Sequence, residues 1–85
     1  MNNAIGIVEM YGFVTAITAA DAAAKAADVK VIAIDTNKPA NAEAEEVPLI
    51  TAIKVQGEVS AVKAAVDAAV LAANTVSGVI CSHVI

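Results

Sequence analysis

Cys81 and His83 stand two residues apart near the end of the chain, a spacing that puts both on one face of a strand and within reach of one metal ion. They are the only cysteine and the only histidine, however, and zinc takes three or four protein ligands. No metal site is expected within one subunit. Glu43, Glu45 and Glu46 form a second group with chemical capacity, since carboxylates bind hard cations and transfer protons. They lie in a polar segment with no hydrophobic pocket to shift their pKa values, so they read as a solvated charge run. Asp21 and Lys25 are four residues apart in the favourable acid-first order, worth a few tenths of a kcal/mol on an exposed helix. With Lys63 and Asp67 they read as polar helix faces. Glycines 6, 12, 57 and 78 are scattered and build no phosphate-cradling loop. No nucleophile is matched to a base, so the expectation is a protein that is not an enzyme and carries no cofactor.

The elements that hold these residues follow from periodicity. Phe13, Ile17, Ala20, Ala24 and Ala27 recur at helical spacing as one apolar stripe, while Thr18, Asp21, Lys25 and Asp28 recur on another face. The spacing predicts an amphipathic helix over 13–27, buried along the first stripe. Before it, residues 4–10 alternate as a strand, with Ile5, Ile7 and Glu9 on one side and Ala4, Gly6, Val8 and Met10 on the other. A glycine within a strand marks a close approach, which predicts that this first helix crosses the sheet at Gly6. Residues 29–35 alternate again and are rich in β-branched side chains.

The segment 36–46, TNKPANAEAEE, has no apolar periodicity and reads as a loop that samples several conformations. Residues 47–56 form a third strand pattern, with Pro48 at its start. From about residue 58 to 77, Val59, Val62, Val66, Val70 and Ala73 mark the inner face of a second helix, with Leu71 left outside. Gly78 suits the position after a helix, and 79–85 is a fourth strand pattern.

The order β-α-β-β-α-β predicts an α+β, ferredoxin-like fold: one domain over residues 1–85, a four-stranded antiparallel sheet with two helices on one face. Both sides of the strands look apolar, with Ile5, Ile7, Val31, Ile53 and Val55 set against Val8, Ile32, Ile34, Ile50, Ile80 and Val84. A second subunit is the economical cover for the free side. A chain of 85 residues buries only about 60% of its unfolded surface, and 21 alanines add little area each. The protein is therefore expected to be an oligomer rather than a stable monomer.

Composition excludes some partners. Charged residues interrupt both helical patterns before the roughly 18 apolar residues that a membrane span needs. The opening MNNAIGIVEM has no basic stretch and runs straight into a strand, so a secretory signal is not expected. One cysteine fits a reducing cytoplasm. Five lysines, no arginine and a formal charge of −4 argue against nucleic acid.

Laid out in this way, the sequence resembles the bacterial microcompartment (BMC) domain, whose hexamers tile the wall of a polyhedral protein organelle. The likeness rests on AIGIVEMYGFVTAITAADAAAKAA, VKVIAID, GEVSAVKAAVDAAVLAA and SHVI, in order and suitably spaced. It implies a structural shell subunit in the cytoplasm that self-assembles into hexamers, works with other shell proteins and enclosed enzymes, and passes small metabolites through an axial pore. Lys25 falls on the family's edge lysine, which meets its symmetry mate between tiles. The pore comes from the connection between strands two and three, here containing Asn37, Lys38, Glu43, Glu45 and Glu46.

Two departures stand out. The connection is longer and more acidic than the short glycine-rich turn of typical members, and it resembles that of a divergent branch found with glycyl-radical or choline-utilising compartments. The chain ends at Ile85, where typical members continue with Pro-Arg-Pro and a short helix, which implies weaker joining of tiles. The alternative is a small-molecule-sensing oligomeric domain of the same element order, although the glycine-rich or basic residues such ligands usually need are missing.

Overall fold

The computed structural model describes residues 3–37 and 50–85. The elements run β1 (Asn3–Tyr11), α1 (Phe13–Ala26), β2 (Lys30–Asn37), β3 (Ile50–Glu58), α2 (Val59–Asn74) and β4 (Val79–Val84). The strands form one antiparallel sheet in the order β2-β3-β1-β4, with both helices on one face. This is the expected β-α-β-β-α-β architecture. β2 reaches Asn37 and β3 reaches Glu58, so Thr36, Asn37 and Gly57 belong to strands rather than to the connections that bound them.

Alternation sets the inner face of β1. Ala4, Gly6, Val8 and Met10 are buried beneath the helices, while Ile5, Ile7 and Glu9 are half-buried on the free side. An added Cβ on Gly6 would lie 2.5 Å from Val66 Cγ2 and 2.9 Å from Val62 Cγ1. The helix that crosses here is therefore α2, not α1 as the glycine in the strand led us to expect. Val62 and Val66 use the space a side chain would fill, which lets α2 lie close to the sheet.

The buried face of α1 is Thr15, Ala16, Ala19, Ala20 and Ala23, and the stripe expected to be buried is displaced from it. Phe13 is 50% exposed and Ile17 46%. The reason lies in size. Ala16, Ala19 and Ala23 are fully buried, as are Ala65, Ala69 and Ala73 of α2, and small residues let the two helices pack closely. Phe13 and Ile17 would hold the helix off its neighbours.

α2 buries Val62, Ala65, Val66, Ala69 and Ala73; Leu71 is exposed as expected, whereas Val59, expected on the inner face, is exposed at the first position of the helix. It ends at Asn74, and the amides of Ser77 and Gly78 both donate to the Ala73 carbonyl at 3.0 Å. Gly78 has φ +102°, a conformation open chiefly to glycine.

Both edge strands carry one extra residue. In β2, Val31 pairs with Val55 and Ala33 with Lys54, leaving Ile32 between them. In β4, Cys81 pairs with Glu9 and Val79 with Met10, leaving Ile80. Each bulge shifts the side-chain phase of its strand. The two faces consequently differ from the simple alternation. Val8, Val31, Ile34, Ile53 and Val55 pack together in or against the core, whereas the free face mixes Ile5, Ile7 and Ile50 with Glu9, Lys54, Asp35, Cys81 and His83. It is more polar than expected.

Candidate functional site

Asn37 and Lys25, both singled out in the sequence, lie at opposite ends of the domain. At one end β2 closes with Asn37 and β3 opens with Ile50, and these residues pair with each other and, through Ile50, with Tyr11 of β1. The connection over 38–49 thus leaves and re-enters the sheet at one place. Lys38, Glu43, Glu45 and Glu46 lie outside the described residues, and Asn37 is the last residue of β2 rather than part of a loop.

The root of that connection is tied to both helices. Ser77 donates its hydroxyl proton to the Tyr11 carbonyl at 2.7 Å, so the Thr15 hydroxyl, 2.7 Å from Ser77 Oγ, must be the donor in their pair. The relay joins the first turn of α1, the turn after α2 and the end of β1. Gly12, with φ +91°, makes the sharp corner between β1 and α1 that brings Thr15 into place.

Lys25 lies at the other end. It is in the last turn of α1, where a cation favours the helix C-terminus, and its Nζ is 2.9 Å from Asp21 Oδ2. Both side chains are exposed, as their spacing predicted. Phe13 and Lys25 are separated by about 18 Å of helix at 1.5 Å per residue. The helix therefore runs from the root of the 38–49 connection to the far margin of the domain.

Cys81 and His83 occupy the free face, opposite Glu9 and Ile7 respectively. Burial pushes the Cys81 thiol above its ordinary pKa, and the Glu9 carboxylate adds to this by repelling the thiolate and accepting the thiol proton in a hydrogen bond. That environment disfavours both nucleophilic attack and metal ligation, which need the thiolate. Among the described residues no three His, Cys, Asp or Glu side chains are grouped to hold a metal ion, and no helix is long and apolar enough to cross a membrane.

Sequence reasoning missed the Thr15–Ser77–Tyr11 relay, the exposed flank of α1 and an ion pair between Lys54 and Asp35, 3.5 Å apart on neighbouring strands. Only the ion pair left a readable signal, since a lysine and an aspartate occupy adjacent strand patterns.

The chain is 42% identical over 82 residues to the bacterial microcompartment shell protein PduA of Citrobacter freundii, covering 96% of this chain and 78% of that protein. It matches PduA of Salmonella typhimurium (strain LT2) with the same identity and coverage. Among solved structures, a microcompartments protein from Desulfitobacterium hafniense superposes with a TM-score of 0.77 at 26% identity. That match covers all of this chain but 41% of the other, so the chain spans less than half the length of that protein. The likeness to a glycyl-radical or choline-utilising branch rests on the connection outside the described residues. The family model described as the BMC domain matches residues 4–85, and the chain belongs to the BMC domain family.

Proposed function

We propose that this protein is a structural, non-catalytic subunit of a bacterial microcompartment shell. It associates with copies of itself and with other shell proteins, its ring is a hexamer, and the rings tile edge to edge. The connection from Asn37 to Ile50 faces the ring axis and bounds the path that small metabolites take. Lys25 lies on the outer margin and meets a neighbouring tile.

One observation carries the residue assignments: α1 holds the root of the connection at its first turn and Lys25 at its last, on opposite ends of the domain. A ring needs that separation, because residues at its axis and residues at its rim cannot share an end. Electron microscopy and native mass measurement test the reading. Six-fold rings that grow into sheets or tubes are expected; a discrete dimer or trimer stabilised by a metabolite would overturn it.

A further inference from the structure

We infer that Tyr11 lines the path through the ring, and that its phenol hydroxyl favours the passage of small uncharged molecules carrying a carbonyl or hydroxyl group. This rests on the reading of the Asn37–Ile50 end as axial, and it names the class of molecule which that end admits.

Tyr11 is the last residue of β1. It pairs with Ile50, which pairs in turn with Asn37, so the three form the last rung of the sheet at this end. Alternation along β1 puts Tyr11 on the free face with Ile5, Ile7 and Glu9, while its neighbour Met10 is fully buried on the other face. Gly12, with φ +91°, then turns the chain into α1 on the helical side. The ring of Tyr11 stays behind on the free face. Its main chain is fixed twice, by the ladder to Ile50 and by Ser77 Oγ, 2.7 Å from its carbonyl oxygen. The residue is 42% exposed, and among the described residues nothing hydrogen-bonds to its hydroxyl.

The ionised groups behind it on the same face are already engaged. Glu9 and Asp35 flank Ala52 on the rung two residues back. Glu9 accepts a hydrogen bond from the Cys81 thiol, and Asp35 Oδ2 lies 3.5 Å from Lys54 Nζ. Tyr11 therefore presents a neutral group that both donates and accepts. A small molecule entering a narrow path sheds water, and each polar group left unpaired raises the barrier. A phenol held at a fixed place in every subunit restores one of those hydrogen bonds. Between neutral groups such a bond is weak enough to release the molecule again. An apolar molecule gains nothing from it.

Tyr11→Phe keeps the aromatic ring and removes the hydroxyl. Shells assembled around an enclosed fluorophore report entry by quenching, with acrylamide as the neutral carbonyl probe and dioxygen as the apolar one. The variant is expected to slow acrylamide entry about two- to tenfold, the worth of one net hydrogen bond, and to leave dioxygen unchanged. No charge is involved, so the difference should persist at about 1 M salt. Acrylamide entry that is unchanged, or slowed together with that of dioxygen, overturns the inference and leaves the shell reading standing. The wild type supplies a second measurement, because Tyr11 is the only tyrosine and the chain has no tryptophan. Its fluorescence in assembled rings should be quenched by acrylamide. Fluorescence shielded from acrylamide on assembly would bury Tyr11 between subunits and likewise overturn the inference. A wild-type protein that forms no ring overturns the shell reading, and this inference with it.

Discussion

Thr15 donates a hydrogen bond to Ser77 across 62 residues of sequence, and the relay it starts ends on the Tyr11 carbonyl. Thr15 is 3% exposed, so its hydroxyl has little access to water if Ser77 is removed. Ser77→Ala is expected to lower stability by about 1–3 kcal/mol, the cost of leaving a buried donor unpaired. In a domain of this size each kcal/mol corresponds to roughly 4–8 °C in Tm, measurable by calorimetry. Thr15→Val replaces the donor with a group of similar shape and is expected to cost less. A double variant no worse than Ser77→Ala shows that the two residues act as one relay.

Gly6→Ala tests the close approach of α2. The new methyl would stand 2.5 Å from Val66 Cγ2, a distance at which the helix must shift, and overpacking of this kind costs about 1–3 kcal/mol. Combining it with Val66→Ala vacates the contested space. The double variant is expected to lose less than the sum of the two single losses, as read from denaturant midpoints at constant slope.

These two contacts illustrate what a single sequence discloses. Alternation gave the inner face of β1 residue by residue, and the Asp21–Lys25 pair was readable from spacing alone. On α1 the period was legible but the phase was not. Two stripes recur at helical spacing, and hydrophobicity favoured the one with Phe13 and Ile17, while close helix packing required the small one with Ala16, Ala19 and Ala23. The bulges at Ile32 and Ile80 leave no compositional mark, because one extra residue in a β-branched run looks like more strand. The Thr15–Ser77 bond joins residues whose proximity depends on the whole fold.

Lys25→Ala separates assembly from folding. The lysine is exposed and pairs with an exposed Asp21, and alanine is a strong helix former, so subunit stability is expected to change by less than about 0.5 kcal/mol. Sheets or tubes seen by electron microscopy should be lost or sparse at concentrations where the wild type forms them. Unchanged arrays with a less stable subunit would make Lys25 an ordinary helix partner.

Cys81 is expected to react slowly with iodoacetamide near pH 8, since its raised pKa leaves less thiolate than an ordinary cysteine has. Glu9→Gln removes the carboxylate that repels the thiolate and should raise the rate at fixed pH, although the burial contribution remains. The sign for stability follows. The folded state favours the protonated thiol, so this group costs nothing below the unfolded cysteine's pKa and destabilises the fold as pH rises above it. A rate unchanged in Glu9→Gln would remove Glu9 from the cause.

The last prediction concerns Glu43, Glu45 and Glu46, which with Lys38 give the connection a formal excess of two negative charges. Its root at Asn37 and Ile50 is held by the Tyr11–Ser77–Thr15 relay, so the connection starts from a fixed point in every subunit. If those points surround one axis, the charge bias repeats with each copy and the field sums along the path. A narrow opening with low-dielectric walls concentrates such a field, favouring cations and disfavouring anionic metabolites. Replacing the three glutamates by glutamine removes their charges at nearly constant side-chain size. The thermal midpoint should stay nearly constant. Entry of anionic probes into assembled shells should become faster relative to cationic ones at low ionic strength. The difference should shrink at about 1 M salt, where the screening length falls to about 3 Å. Equal entry of both probe charges before and after substitution at low salt would exclude the glutamates from selectivity and leave the path to be set by other residues.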